Sequence, residues 1–125
     1  MVQFVGNFEE LANGLPPGPS LRAVIRDWPA DHEVDVIPYL ERGSVLVTSG
    51  QLVDDVLEPT NTDVAPQDLR TDGEWIWPGD LAYYVERYHV ELPQAFVHHA
   101  ASLGWHPPEL DVDQLMDVAA VLRPD

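Results

Sequence analysis

The chain has 125 residues, 45% of them hydrophobic, and sets six arginines against 22 aspartates and glutamates, a net charge of −16. That balance excludes a nucleic-acid binder, which needs a basic stripe to displace counterions from phosphates, and it excludes adsorption to an anionic membrane. Plentiful apolar residues, four tryptophans among them, and dispersed carboxylates argue against disorder.

A chain of this length buries roughly two thirds of its extended surface, so one globular domain over residues 1–125 is expected. Cysteine is absent, which removes a disulfide framework, a thiolate metal site and a thiol nucleophile. Residues 1–10 lack both a basic region and an apolar run, and no stretch approaches the roughly 20 apolar residues of a membrane span, so a cytoplasmic location is expected. Every basic residue is arginine, at 22, 26, 42, 70, 87 and 123. Codon bias in a GC-rich genome accounts for that, and salt adaptation accounts equally for an acidic surface.

Along the chain, Asn7 with Glu10 three residues on predicts a capped short helix stopped by Gly14. Ser20 predicts the cap of a second helix through Trp28, with Leu21, Val24, Ile25 and Trp28 on its inward face. A third is expected over 35–42, tolerating Pro38 only in its first turn and ended by a left-handed Gly43. The β-branched run 44–48 suits a buried strand bounded by Gly50. Residues 51–68 read mostly as loop, with a short strand or helical turn near 52–57.

The segment 69–77 is the strongest local signal. Asp72-Gly73 between β-prone runs suits a two-residue type I′ hairpin, with Arg70 facing Trp75 and Leu69 facing Ile76. Trp75 and Trp77 then share a face with Arg70, and since neither face is fully polar the hairpin is expected to be covered on both sides, or covered on one and used on the other. Three helices should follow. The first is capped by Asp80 and runs over 81–89 with Leu81, Tyr84, Val85 and Tyr88 inward. In the second, Pro93 sits in the first turn, Phe96, Ala100 and Leu103 point inward, and Gly104 is the stop. The third begins with an Asp111–Gln114 capping box and buries Leu115, Val118, Ala119 and Leu122. The fold expected is α+β, with five or six short helices packed around a small antiparallel sheet that contains the 69–77 hairpin.

Catalytic motifs are lacking. His98 and His99 diverge by about 100° on a helix, and there is no H-E-x-x-H pair, so His32, His89, His98, His99 and His106 read as structural or surface residues. No serine lies in a nucleophile elbow, no Gly-rich phosphate loop occurs, and Asp54, Asp55, Glu58 and Asp63 do not form an EF-hand loop. No cofactor and no metal are expected. Seven carboxylates, Asp54, Asp55, Glu58, Asp63, Asp68, Asp72 and Glu74, face Arg70 alone in the stretch 54–74. In loop and turn they are expected to meet water and to steer a basic partner. Tyr83 projects outward on the helix that turns Tyr84 and Tyr88 inward, as an interface anchor would, while at least one of Trp75 and Trp77 fills the space between hairpin and helices.

The block Thr71-Asp72-Gly73-Glu74-Trp75-Ile76-Trp77-Pro78, leading into Leu81-Ala82-Tyr83-Tyr84-Val85 and Tyr88-His89-Val90-Glu91-Leu92-Pro93, resembles a block in small acidic bacterial proteins. A weaker echo lies around 44–59. Some of those proteins are similar to immunity proteins, which neutralise secreted toxins. The resemblance implies a non-enzymatic immunity protein or inhibitor that occludes the active cleft of a basic toxin or nuclease. Its partner-binding residues would be the seven carboxylates and Tyr83. Two alternatives stand beside it: a small metal-dependent hydrolase using His89, His99 or His106 with a carboxylate, and a salt-adapted acidic domain with no cationic partner.

Overall fold

The computed structural model describes residues 2–11 and 15–122. It is α+β, with a four-stranded mixed sheet and four α-helices. In chain order the elements are β1 (Gln3–Phe4), α1 (Glu33–Glu41), β2 (Ser44–Val53), β3 (Ala65–Thr71), β4 (Trp75–Pro78), α2 (Leu81–Tyr88), α3 (Gln94–Ser102) and α4 (Val112–Ala119). Single 3-10 turns lie at Arg22–Val24 and Ala120–Leu122. The sheet order is β1-β4-β3-β2. Only the short β1 runs parallel to its neighbour, pairing Gln3 with Trp75 and Phe4 with Ile76, so the sheet is mixed where an antiparallel one was expected.

The two helices expected before residue 30 do not form. Glu10 is not the partner of an Asn7 cap; its carboxylate accepts from the amides of Leu21 and Arg22, at 2.7 and 3.0 Å, and from the Ser20 hydroxyl. It thereby caps, from across the chain, a helical start that lasts one turn. The expected stop at Gly14 lies outside the described residues. Beyond the turn, Arg26 donates its amide to Tyr88 and Val24 accepts from Glu91, which ties the segment to the α2–α3 connection. Trp28 is consequently exposed, not inward.

α1 begins two residues before the expected start and carries Pro38 in its interior. Gly43 follows it for a steric reason, because a Cβ there would enter the indole ring of Trp77, whereas no left-handed turn occurs at that position. β2 outruns the expected 44–48 and crosses Gly50, with irregular pairing to β3 around it. It is the sheet's outer strand and is mostly exposed, the reverse of a buried one.

The hairpin forms with its pairing displaced by two residues. Thr71 faces Ile76 and Arg70 faces Trp77, leaving a longer loop than Asp-Gly alone. Asp72 explains the difference, since its Oδ1 accepts from the amides of Glu74 and Trp75 and closes a side-chain turn in which only Gly73 has positive φ. A shift of two preserves the faces, so Arg70, Trp75 and Trp77 remain on one side. Trp75, Ile76, Trp77 and Pro78 are all buried.

On the tryptophan side, Phe96 of α3 meets Trp75, Trp77 and Tyr39 edge-to-face at centroid distances of 5.3, 5.6 and 6.0 Å. Each such contact adds about 1 kcal/mol beyond the area buried. Trp77 also donates its indole N–H to Leu40 at 3.0 Å, joining β4 to α1. The three helices after the hairpin form, although Asp80 does not cap the first, and of the inward residues expected on the last only Val118 is buried, while Leu115, Ala119 and Leu122 are half-buried. Leu81, Tyr84 and Val85 are fully buried, Gly104 has left-handed φ, and Asp111 and Gln114 make both bonds of the capping box. Leu103 is the exception on its helix, being partly exposed.

Candidate functional site

The carboxylates of 54–74 do not share one face. Residues 54–64 connect β2 to the start of β3, and residues 72–74 follow its end. Seven residues of strand separate the two groups by roughly 20 Å.

At the first end, Asp55 is fully buried. It accepts from the phenols of Tyr83 at 2.7 Å and Tyr88 at 2.5 Å, and from the amides of Leu57 and Glu58 at 2.7 and 3.0 Å. Burial pushes its pKa up, but the bonds from Tyr88, Tyr83 and the two amides together outweigh burial and bring the carboxyl below its ordinary 3.8. Tyr88 is in turn raised to about 12, by burial first and by the adjoining Asp55 second. Asp55 and Tyr83 therefore hold the loop to α2, and neither faces water in the way the sequence suggests. The exposed acids of this end are Asp54, which accepts from the amide of Asp63, then Asp63 itself, and Glu58, which stands 3.5 Å from Arg87.

At the second end, Asp72 is also buried. Besides closing its turn it accepts the Tyr39 hydroxyl at 2.6 Å, and burial followed by that bond pushes the Tyr39 phenol upward. His99 lies between two acids, with Nε2 3.1 Å from Asp72 and Nδ1 3.0 Å from Glu74. Its Nε2 is buried without an aligned hydrogen-bond acceptor. Glu74 alone in this group is exposed.

Asp68 belongs to neither group. Arg70 grips both its oxygens, at 3.4 and 3.2 Å. Its carboxylate occupies the place a side chain on Gly79 would need, which is the physical reason for glycine there. Beside it, Asp80 precedes α2 but makes no side-chain bond to the helix, contrary to the cap expected of it. Burial first, and the charge of Asp68 second, push Asp80 from its ordinary 3.8 to about 6, against a bond to its own amide. Asp54, Asp68 and Asp80 line a cleft of about 470 Å³ together with Gln51, Leu52 and Val56. Sequence reading assigned Asp80 to helix capping and so missed this cleft; the Pro-Gly-Asp turn before α2 was the available signal.

The cleft adjoins the open edge of the sheet. Among the described residues no strand pairs with the outer side of β2, and Val45, Val47 and Leu52 on that strand are 44, 49 and 55% exposed.

The histidines are scattered. His89 pairs with the buried Glu33 at 3.0 Å, while His106 is exposed. Among the described residues no three His, Asp or Glu side chains are grouped to hold a metal ion. No helix among them is long and apolar enough to cross a membrane. The chain has no significant match to a family model, a curated protein or a solved structure.

Proposed function

We propose that this chain is a non-enzymatic acidic binding protein of the immunity or inhibitor type, which neutralises a basic toxin or nuclease by covering its active cleft. The observation that carries the reading is the junction of the open β2 edge with the 54–64 loop. Exposed Leu52 runs into a loop that presents Asp54, Glu58 and Asp63, and exposed Val47 and Val45 continue the edge away from that loop. An unpaired strand offers main-chain donors and acceptors to an incoming extended segment, and isolated proteins ordinarily blunt such an edge with lysine or proline. Here the edge carries neither, and acids outnumber bases in the loop that follows it.

Carboxylates placed this way raise the encounter rate with a cationic surface, and the apolar strand then supplies contact area. Leu52 and Val47 take the anchoring role first given to Tyr83, whose hydroxyl is spent on Asp55. The binding set contracts to Asp54, Glu58, Asp63 and the β2 edge, with Glu74 at the opposite end of β3 from those three acids.

Co-expression with the toxin or nuclease encoded beside its gene tests the reading. Protection of the host cell, together with a complex whose association slows steeply with added salt, supports it. No protection, and no complex even at low ionic strength, would sink it.

A further inference from the structure

The cleft beside the β2 edge has a property that neither folding nor the loop explains. Asp80 is 9% exposed, and its Oδ1 is buried without a hydrogen-bond partner. A carboxylate oxygen left in that condition is costly, and natural proteins keep few of them without a use. None of the residues lining the cleft is basic. Of its three acids, Asp68 is balanced by Arg70, which reaches it from outside the lining. Asp54 and Asp80 are left without a cationic partner among the described residues.

The remaining walls suit an organic cation better than a metal ion. Leu11, Leu52 and Val56 are apolar, Gln51 and Gln67 contribute amide groups, and the volume of about 470 Å³ exceeds the need of a single ion. A calcium ion wants six to eight oxygens, and no such grouping is present among the described residues. An ammonium holds its water tightly, which opposes transfer to a buried oxygen. A guanidinium is flat, weakly hydrated and carries several donors in a fixed fork.

We propose that this cleft binds the alkylguanidinium group of an arginine side chain, the fork on Asp80, Asp54 closing the mouth, and the methylene stem along Leu52 and Val56. Gly79 is part of the device, because the absence of a side chain there lets the Asp68 carboxylate lie beside Asp80. The inference goes beyond the binding of a basic partner and does not need one. The guanidinium can belong to a protein's arginine or to a free small guanidine.

Amide chemical shifts of the whole chain, followed during titration with N-butylguanidinium, test it. A second arm uses a blocked Gly-Arg-Gly peptide and a third uses n-butylammonium. Saturable shifts confined to residues 51–54, 67–68 and 79–81 are expected, with butylammonium the weaker ligand. Asp80→Asn should weaken butylguanidinium by about tenfold or more, and Asp54→Asn, at an exposed position whose Oδ1 acceptor survives, by about threefold. A peptide that binds more tightly than the free cation assigns the cleft to a polypeptide arginine, and equal binding assigns it to the small cation. The proposal is overturned if wild-type protein shows no saturable shift at these amides, or if Asp80→Asn binds as wild type does. Should Asp80→Asn fail to fold, unchanged affinity in Asp54→Asn overturns it instead. No partner protein enters the titration, so its failure leaves salt-sensitive complex formation standing, and failure to find a partner leaves the titration standing.

Discussion

Tyr83 donates its phenolic hydrogen to Asp55 across 2.7 Å, and this bond makes a residue that helical projection turns to solvent into the clasp between α2 and the 54–64 loop. Tyr88 closes on the same oxygen, and the amides of Leu57 and Glu58 on the other. Replacing Asp55 by Ala strands four donors around a buried space, so a loss of about 3 to 5 kcal/mol in unfolding free energy is expected. Tyr83→Phe and Tyr88→Phe each remove one bond and should cost about 1 kcal/mol, with the double variant departing from additivity because both act on one oxygen. Urea denaturation of the four variants measures this. A near-neutral Asp55→Ala would contradict the clasp.

Stability should pass through a maximum on the acid side of neutrality. Asp80 binds its proton more tightly folded than unfolded, so its ionisation destabilises the fold. That penalty is full above its folded value of about 6 and disappears below its ordinary 3.8. Glu10 has the opposite sign. Burial pushes it up, but bonds from the Leu21 and Arg22 amides and the Ser20 hydroxyl bring it from 4.5 to about 2, and Asp55 is lowered likewise. Their stabilisation is full above the ordinary carboxylate values and is lost as pH falls through the folded ones. The melting temperature should therefore climb between about pH 7 and 4.5 and fall below it, relief of the net negative charge adding to the climb. Asp80→Asn should flatten that climb and raise neutral-pH stability by on the order of 1 kcal/mol. Thermal scans across pH decide it, and an equally steep climb in the variant would exonerate Asp80.

What the sequence made legible was local. The Asp111–Gln114 capping box, the buried stripe Leu81–Tyr84–Val85 and the glycine stop at 104 all depend on residues within one or two helical turns, and all three occur. The misreadings involve acceptors whose donors lie far along the chain. Glu10 looked like half of a capping box until Leu21 and Arg22 claimed it, 11 and 12 residues away. Asp55 looked solvated because Tyr83 and Tyr88 reach it from 28 and 33 residues on. The hairpin's register failed for a related reason. Asp-Gly is an adequate type I′ signal by itself, but the Asp72 carboxylate finds two amides of its own turn and the Tyr39 hydroxyl, and this widens the loop. A two-residue strand such as β1 leaves no periodicity to read.

Two glycines separate steric demand from backbone demand. At Gly43 the missing side chain makes room for the buried Trp77 ring, so Gly43→Ala should cost about 3 kcal/mol and change tryptophan fluorescence. At Gly50 nothing stands within 4 Å, but φ is +74°, so Gly50→Ala should cost only about 1 kcal/mol and leave the fluorescence alone. Equal costs, or a fluorescence change at Gly50 alone, would reverse that assignment.

Charge removal beside the β2 edge and away from it separates a partner-directed acidic surface from an acidity that serves only solubility. Glu58→Gln with Asp63→Asn removes two exposed charges beside the β2 edge, and neither side chain is an acceptor of a buried group. A control, Asp27→Asn with Asp117→Asn, removes two exposed charges outside the 54–64 loop. Both pairs change the net charge equally, so any influence of the overall field on the encounter is the same for both. With a cognate basic partner, the first pair should slow association several-fold at low salt and flatten its dependence on ionic strength, while the control alters it little. Dissociation should scarcely change in either, because rim charges act mainly on the encounter, whereas Val47→Ser on the open edge should speed it. Stopped-flow association rates at two salt concentrations make the comparison, and equal slowing by both charge pairs would favour a generally acidic domain with no directed face.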